Sequence, residues 1–435
     1  MTAVSYSLIH GEGIELPTIF AADRTPVPYQ VESIDDRLLH HYSPMPALLD
    51  APVVAAYELL GVTPATPGGY WRRDTEIRIM HFEMALASAL VCVVLYFTAR
   101  RLLAPLYALG LTLAFAFGTQ IFSTLSRPYW SHTWGVALTA LAIYFVVFRL
   151  RNRATLSAVL GATCISWSFF CRPQTAWAVI GLGVFLVVSR RWRDLGVFTS
   201  VGVAWAVVGA LFSLATYDSI LPNYFLGQQV ELGRFEIATR VTRHRYFWNL
   251  MGSLFSPSRG VFIFVPLYAW ILAVVCLSWK RLASRPLAVI AVAVIGVHLW
   301  MLVHTGTWPG GSRCYGPRQL SDVLPWFFLL GALAVDAMLT GWRETSRWGR
   351  SLRLASLMLC LAFSIFVNTR GAYAPATWRW MPAEMVDVRR DGEEVIRPDW
   401  WDWSDPQFLA GLWPEDPPRR DAGDEAGVNG GGGAD

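Results

Sequence analysis

The sequence predicts an all-α polytopic membrane protein with about ten transmembrane helices and with outer loops that carry interfacial helices, an architecture supported by three observations. Hydrophobic residues make up 54% of the chain and charged residues only 16%, and the mean hydropathy is +0.38. Ten apolar stretches approach the length of about 20 residues that a bilayer-spanning helix needs. Arginines concentrate in alternate short turns between those stretches. The spans must be helices, because unpaired backbone groups of a strand edge cannot be satisfied in lipid.

The predicted spans follow directly from the apolar stretches. They are 82–99, 104–122, 131–149, 155–171, 173–189, 195–216, 260–278, 286–304, 323–341 and 352–368. The apolar segment 51–61 is too short to cross a bilayer, so it predicts a helix lying at the outer interface.

The arginine distribution predicts the orientation of the bundle. One set of turns carries Arg100, Arg101, Arg149, Arg151, Arg153, Arg190, Arg191, Arg193, Lys280, Arg281, Arg285, Arg343, Arg347, Arg350 and Arg353. The intervening short turns carry far fewer, namely Arg127, Arg172, and the pair Arg313 and Arg318. Short Arg-rich loops stay cytoplasmic, so the long polar segments are predicted to lie outside the cytoplasm of a multi-pass protein of the inner (plasma) membrane.

Three regions follow from this topology. Residues 1–80 form an extracytoplasmic loop with the interfacial helix, and residues 81–369 form the transmembrane domain, with long outer loops at 217–259 and 305–322. Residues 370–435 form a Trp-rich outer tail whose end, 421–435, is Gly-rich, acidic and predicted to be disordered.

Composition excludes several classes of protein. The net charge of +4 does not indicate nucleic-acid binding, because the basic residues lie on membrane-flanking turns. The six cysteines form neither a disulfide framework nor a metal-binding spacing. The sequence predicts no definite cofactor and leaves a requirement for a divalent metal open.

The N-terminal outer region supplies the first candidate site residues. Asp35 and Asp36 are its central acids, and His40, His41 and Tyr42 follow them as candidate substrate-binding residues. A carboxylate held near the membrane surface can act as a general base toward a hydroxyl or amine. The alternative is that these are solvated loop charges.

Other candidate substrate-binding residues lie at outer turns. Arg127 and His132 flank an aromatic stretch that interfacial anchoring also explains. In the loop 305–322, Gly310 and Gly311 permit a close backbone approach, and a turn at Gly316 and Pro317 precedes a helix. The candidates in this loop are Arg313, Tyr315 and Arg318, and Arg259, just before the span 260–278, is a further candidate. Arg313 and Arg318 would present guanidinium forks suited to a phosphate, and the alternative is a glycine cluster with topologically tolerated arginines.

Several short motifs resemble those of bacterial GT-C membrane glycosyltransferases, which include enzymes similar to protein mannosyltransferases. The motifs are Pro28 with Tyr29, Leu38 to Pro46, Leu48 with Leu49, Ala51 with Pro52, Phe117 to Thr119, Trp130 with His132, Cys171 to Pro173, Ser256 with Pro257, Arg259 with Gly260, Trp308 to Arg318, Trp400 to Trp403 and Asp405 to Gln407. The resemblance covers nearly the whole chain. It implies transfer of a sugar from a polyprenyl-phosphate donor to a glycan, lipid or protein acceptor outside the cytoplasm.

The chain departs from that family at its start. The family's catalytic carboxylate follows directly after a first helix, a position that would fall at or before Met1, and residues 2–8 contain no acid. We therefore expect the sequence to lack a first transmembrane helix and an acid that follows it, and to be inactive as a fragment without them. Asp35 and Asp36 are the nearest central acids, although the resemblance assigns catalysis to neither.

Two alternatives remain open at this point. A transporter or lipid flippase would require ionisable residues at mid-bilayer and paired repeats of interrupted helices, whereas Glu83, His298 and Asp336 are isolated in the sequence and no repeat is visible. A non-catalytic membrane protein would not require arginines gathered at helix mouths.

The predicted orientation can be tested with reporter fusions. A reporter that is active only outside the cytoplasm should be active when fused within 305–310 and inactive when fused within 341–346, because the second turn belongs to the Arg-rich set. A fluorescent reporter that folds only in the cytoplasm should give the opposite pattern. Reversed activities at these two positions would contradict the orientation.

Overall fold

The structure is a computed structural model. It describes residues 2–17, 31–34, 37–40, 43–66, 70–127, 131–148, 150, 153–217, 219–220, 243–310, 314–382, 384–388 and 394–412. All ten predicted spans are helical over most of their length, which confirms the predicted all-α membrane architecture.

The helices are numbered along the chain. They are α1 (Thr2–Ile9), α2 (Met45–Leu59), α3 (Arg73–Ala99), α4 (Pro105–Gly118), α5 (Ser131–Phe148), α6 (Ala154–Cys171), α7 (Ala176–Val188), α8 (Trp192–Tyr217), α9 (Arg243–Phe255), α10 (Val261–Phe264), α11 (Pro266–Leu277), α12 (Arg285–Thr305), α13 (Leu324–Thr340), α14 (Arg347–Tyr373) and α15 (Pro375–Arg379). Among the described residues, seven helices are long and apolar enough to cross a membrane, and three shorter apolar helices lie among them.

The centre of the bundle is α13. Most of its side chains are buried, and it packs against α3, α4, α5, α11 and α12. A helix that is apolar on all sides is suited to such a position. By contrast, only 6% of the most apolar 18-residue stretch of α8 is buried. Since exposed apolar side chains suit lipid, α8 lies at the edge of the bundle.

Two spans are interrupted, and one side chain satisfies backbone groups at both interruptions. After α4 the chain turns through a π-helix, Ile121–Leu125, and Val265 separates α10 from α11, which begins at Pro266. The buried Asn368 of α14 donates from Nδ2 to the carbonyl oxygens of Gly118, at 3.2 Å, and Phe264, at 3.1 Å. Its Oδ1 accepts the Ser123 hydroxyl at 2.6 Å. Non-helical backbone at membrane depth requires such partners.

The N-terminal region forms a small core of its own. Helix α2 packs against α1, and Ala3, Val4, Ala47 and Trp71 are buried together there. The predicted interfacial helix at 51–61 is therefore confirmed as a helix, with the longer bounds Met45–Leu59. The sequence did not predict α1.

The described residues also include two small β-hairpins that the sequence did not predict. Strand β1 (Val31–Ile34) pairs antiparallel with β2 (Arg37–His40), and β3 (Glu384–Val388) pairs with β4 (Glu394–Pro398). Both hairpins lie outside the ten spans, where the backbone can also bond to water. The predicted disordered end, 421–435, lies outside the described residues.

Replacing Asn368 with Ala should destabilise the bundle, because the carbonyl oxygens of Gly118 and Phe264 each lose a buried donor. Each unsatisfied group costs about 1–3 kcal/mol, so we expect a clear fall in the unfolding temperature measured in detergent micelles. Ser351→Ala, at an exposed position of the same helix, should leave that temperature unchanged. Equal stability of the two variants would contradict the role assigned to Asn368.

Candidate functional site

A buried ionic cluster surrounds Asp322, whose side chain is 1% exposed. The Nδ1 atom of His132 donates to its Oδ1 at 3.0 Å. The guanidinium of Arg172 donates to its Oδ2 from Nη2 at 3.1 Å and, more weakly, from Nε at 3.4 Å. Buried charges require this kind of pairing and hydrogen bonding. We name His132, Arg172 and Asp322 the Asp322 cluster.

Helix ends bring these three residues together. His132 is the second residue of α5, Arg172 directly follows α6, and Asp322 lies in a 3₁₀-helix, Arg318–Val323, that leads into α13. The cluster therefore lies at the end of the bundle opposite the Arg-rich turns.

A second layer of bonds holds the cluster in place. Arg172 also donates from Nη2 to Oε1 of Gln319 at 3.1 Å. The Nε2 atom of His298, on α12, bonds to the carbonyl oxygen of Gln319 at 2.9 Å, which requires the tautomer protonated on Nε2. His298, which is isolated in the sequence, is therefore part of this network. The network holds the Arg172 guanidinium against both Asp322 and Gln319.

Arg318 is the half-buried cation beside this cluster. It is the first residue of the 3₁₀-helix, and its Nη2 donates to the carbonyl oxygen of Gly310 at 2.5 Å. Gly310 has φ +69°, and a Cβ there would lie 3.2 Å from Cγ of Gln319. The close backbone approach predicted at Gly310 is therefore confirmed. Gly311 lies outside the described residues.

Arg259 is buried and bonded to protein oxygens. It is 1% exposed, and it donates to the carbonyl oxygens of Pro309, at 2.8 Å, and Ser258, at 2.7 Å. It also donates to Oε1 of Gln407 at 2.5 Å, and it faces the ring of Trp400 at 4.8 Å. Burial lowers the pKa of Arg259 from its ordinary value. These contacts give Arg259 a role within the fold, and binding of substrate by it stays a prediction.

Tyr315 is also enclosed by protein. Its hydroxyl donates to the carbonyl oxygen of Val367 at 2.7 Å, and its ring stacks on Trp378. Burial raises the pKa of Tyr315 well above the ordinary value, so the phenol stays neutral at physiological pH. A Cβ on Gly371 would lie 2.2 Å from the Tyr315 ring, so only glycine fits at that point of α14.

Gln407 joins the outer tail to the loop that carries Tyr315. Its Nε2 donates to the carbonyl oxygens of Cys314 and Thr377, at 2.8 and 2.9 Å. Its Oε1 accepts from Arg259 and from the backbone N–H of Gly316. All the hydrogen-bonding capacity of the Gln407 amide is therefore used. These bonds fix the C-terminal segment near the N-terminal ends of α10 and α13.

A carboxyl pair lies at the same end of the bundle. Asp50 of α2 is fully buried and accepts the indole N–H of Trp134, two residues after His132, at 2.7 Å. Asp50 is near enough to Glu83 of α3 for their charges to interact. Glu83 is 1% exposed, and neither of its carboxyl oxygens has a hydrogen-bond partner among the described residues.

The predicted site residues divide into four groups. The Asp322 cluster contains His132 and adjoins Arg318. Arg259 and Tyr315 lie in the neighbouring bonds between loop and tail. Arg127 and His40 are half-buried elsewhere, after the π-helix and at the end of β2. The last group, Asp35, Asp36, His41, Tyr42 and Arg313, lies outside the described residues.

Sequence reasoning missed the centre of the site. Asp322, Gln319 and Asp50 were not candidates, and Arg172 was noted only as a lone cation. Asp322 carries a recognisable feature, since a carboxylate at the border of an apolar span tends to face a partner or a cavity. Its partners are 150 and 190 residues away, so nothing local identifies them.

Comparisons with known proteins give limited information. No family model matches the sequence, and no curated protein matches it. The fold is similar to the oligosaccharyltransferase AglB of Archaeoglobus fulgidus in complex with an inhibitory peptide and a dolichol-phosphate, with TM-score 0.49, 12% identity, and coverage of 86% of this chain and 51% of that chain. It is also similar to the same organism's oligosaccharyltransferase in complex with Zn and sulfate, with TM-score 0.45, 13% identity, and coverage of 78% and 45%. The chain thus spans about half the length of these structures, and TM-scores below 0.5 assign it no function.

Replacing Asp322 with Ala should destabilise the protein strongly, because Arg172 would remain largely buried without its carboxylate. Breaking a buried pair from one side costs about 3–5 kcal/mol. Asp322→Asn preserves the shape of the side chain and should be affected less. Asp336→Asn, a half-buried carboxyl of the same span, is the control. Equal unfolding temperatures of Asp322→Ala and Asp336→Asn in detergent would contradict the stabilising role assigned to Asp322.

Proposed function

We propose that the protein is a membrane glycosyltransferase of the GT-C type that transfers a sugar from a polyprenyl-phosphate donor to an acceptor at the extracytoplasmic face. The observation that carries this proposal is the grouping of Arg172 and Arg318 around His132 and Asp322 at the end of the bundle opposite the Arg-rich turns. The motif resemblance supports the same reaction. The acceptor class, a glycan, a lipid or a protein, stays open.

Arg318 is the residue that we assign to the donor phosphate. Arg259 donates to three protein oxygens and is buried, and Arg172 is held by Asp322 and Gln319. Arg318 donates to the carbonyl oxygen of Gly310 and is half-buried at the border of the cluster. A guanidinium fork can bind two phosphate oxygens at once. As the bond from the sugar to phosphate breaks, negative charge grows on the leaving phosphate, and a fixed cation stabilises that charge.

The lipid part of the donor suits the surface of the bundle. Along α3, Leu86, Leu90, Val93 and Phe97 are exposed on one face, and an exposed apolar helix face in such a protein meets lipid. A polyprenyl chain can therefore stay in the bilayer while its phosphate reaches the outer end of the bundle. Partners in this proposal are the bilayer, the lipid-linked donor and the acceptor, with no nucleic acid.

The proton of the acceptor must pass to a base. Asp35 and Asp36 were predicted as that base and lie outside the described residues, between β1 and β2. Their role stays a prediction.

A lipid flippase is the second candidate, because the Asp322 cluster places three ionisable groups at the end of spanning helices. Transport of a fluorescent polyprenyl-phosphate sugar across liposomes containing the purified chain, without transfer of the sugar, would favour the flippase.

Removing the Arg318 cation should abolish most transfer. Membranes from cells expressing the full-length protein would be supplied with polyprenyl-phosphate mannose or glucose carrying a radiolabel in the sugar, and label leaving the lipid fraction would be measured. Loss of one such electrostatic contact typically lowers a rate by about 10²–10³, so we expect an effect of this size in Arg318→Ala. Arg318→Lys should recover part of the rate, because lysine lacks the fork.

Arg347→Ala removes an exposed cation from the opposite end of the bundle and should leave transfer unchanged. Wild-type turnover in Arg318→Ala, at normal expression, would contradict the assignment of Arg318 to the phosphate. Failure of the wild-type full-length protein to transfer label from either donor would contradict transfer of these sugars.

A further inference from the structure

Three basic side chains lie outside the Asp322 cluster, at the end of α3 that is opposite the Arg-rich turns. Arg78 and His81 are exposed on α3, and residues three apart on a helix are neighbours. Arg127 is half-buried and follows the π-helix, which packs against α3. The charge of Arg127 acts on His81, so these two side chains lie near each other. We name Arg78, His81 and Arg127 the α3 basic cluster.

The α3 basic cluster has no counter-charge among the described residues. No described side chain accepts a hydrogen bond from Arg127 or forms an ion pair with it. The acid one turn before Arg78 is Asp74, and it lies 3.9 Å from Arg72 instead. Basic groups that are brought together without an acid repel each other when both are charged. The arrangement therefore favours an anion from outside the chain.

The depth of the cluster matches the level of lipid phosphates. His81 lies 18 residues before Ala99, the last residue of α3, which corresponds to about 27 Å along a helix. Arg100 and Arg101 mark the other end of this span. Since the apolar core of a bilayer is about 30 Å thick, His81 lies at the border of that core, and Arg78, one turn farther, lies at the level of the headgroups.

An exposed apolar surface continues from the cluster toward the bilayer centre. Ala85 and Ala89 are exposed and follow Arg78 and His81 at helical spacing, so they lie on the same face of α3. Their short side chains leave room beside the helix. The neighbouring helix α4, which packs against α3, exposes apolar side chains as well, namely Leu113 and Phe117. An acyl chain can therefore contact both helices while its headgroup reaches the cluster.

We propose that the α3 basic cluster binds the phosphate of an anionic phospholipid of the surrounding leaflet, with the acyl chains against α3 and α4. The Arg127 guanidinium can bind two phosphate oxygens at once, and a ring N–H of His81 can donate to a third. A bilayer phospholipid is favoured over the sugar donor because the cluster faces the leaflet at headgroup level, whereas Arg318 lies at the Asp322 cluster. The site does not depend on the proposed glycosyl transfer.

The test measures binding of lipids to the purified full-length protein in detergent by native mass spectrometry. Dioleoylphosphatidylglycerol is compared with zwitterionic dioleoylphosphatidylcholine, and wild type should bind the anionic lipid more tightly. A basic residue near an anionic lipid surface strengthens binding by a factor of about five. Arg127→Gln should therefore bind phosphatidylglycerol at least about fivefold more weakly, and His81→Ala should lose less. Arg127→Lys keeps the charge without the fork and should retain part of the affinity.

Arg72→Gln is the matched control, because Arg72 directly precedes α3 and lies beside Asp74 rather than in the cluster. It should bind phosphatidylglycerol as wild type does. Unfolding temperatures in lipid-free detergent should be similar for wild type, Arg127→Gln and Arg72→Gln, since no described residue bonds to the Arg127 side chain. If Arg127→Gln does not fold, unchanged binding in both Arg127→Lys and His81→Ala overturns the proposal.

Four other outcomes also overturn the proposal. The first is equal affinity of wild type and Arg127→Gln for phosphatidylglycerol, and the second is equal affinity of wild type for the two phospholipids. The third is an equal loss in Arg72→Gln, which would assign the effect to net charge. The fourth is binding of added polyprenyl phosphate, but not of phosphatidylglycerol, that weakens in Arg127→Gln, which would assign Arg127 to the sugar donor.

Discussion

The carboxylate of Asp322 holds together segments that are far apart in sequence. It binds the start of α5 through His132 and the end of α6 through Arg172, while Gln319, one turn earlier, binds α12 through His298. Because these groups are buried, each depends on the others for its charge and hydrogen bonds, and removing one leaves the rest uncompensated. This end of the bundle therefore has one arrangement, which fixes the loop that carries Tyr315 and Arg318.

A second set of polar bonds fixes the irregular backbone around that site. Asn368 satisfies carbonyl oxygens where two spans are interrupted, and Gln407 joins the outer tail to the loop before α13. Irregular segments can then lie at membrane depth without unpaired backbone groups. This accounts for two different uses of arginine at the same end of the molecule: Arg259 is bonded into the tail, whereas Arg318 stands at the border of the cluster.

The end of the bundle that carries the Asp322 cluster combines opposite charges. Arg172 and Arg318 supply guanidinium groups on the side of α13, and Asp50 and Glu83 supply buried carboxyls on the side of α2 and α3. In the proposed transfer, a cation beside the leaving phosphate stabilises the negative charge that grows on it.

The sequence by itself determined the ten spans, because apolar length is dictated by bilayer thickness and backbone satisfaction. It also indicated the interfacial helix and the close approach at Gly310, since turn glycines act locally. The sequence did not predict α1 or the two hairpins, because these segments carry no strong periodic pattern. The site was predictable only in part, through His132 and Arg318 at helix mouths. The tertiary structure decided the pairing of Asp322 with Arg172, the bonding of Arg259 to protein oxygens, and the burial of Glu83 and Asp50. Each depends on which faces of distant helices meet, and no local pattern records that.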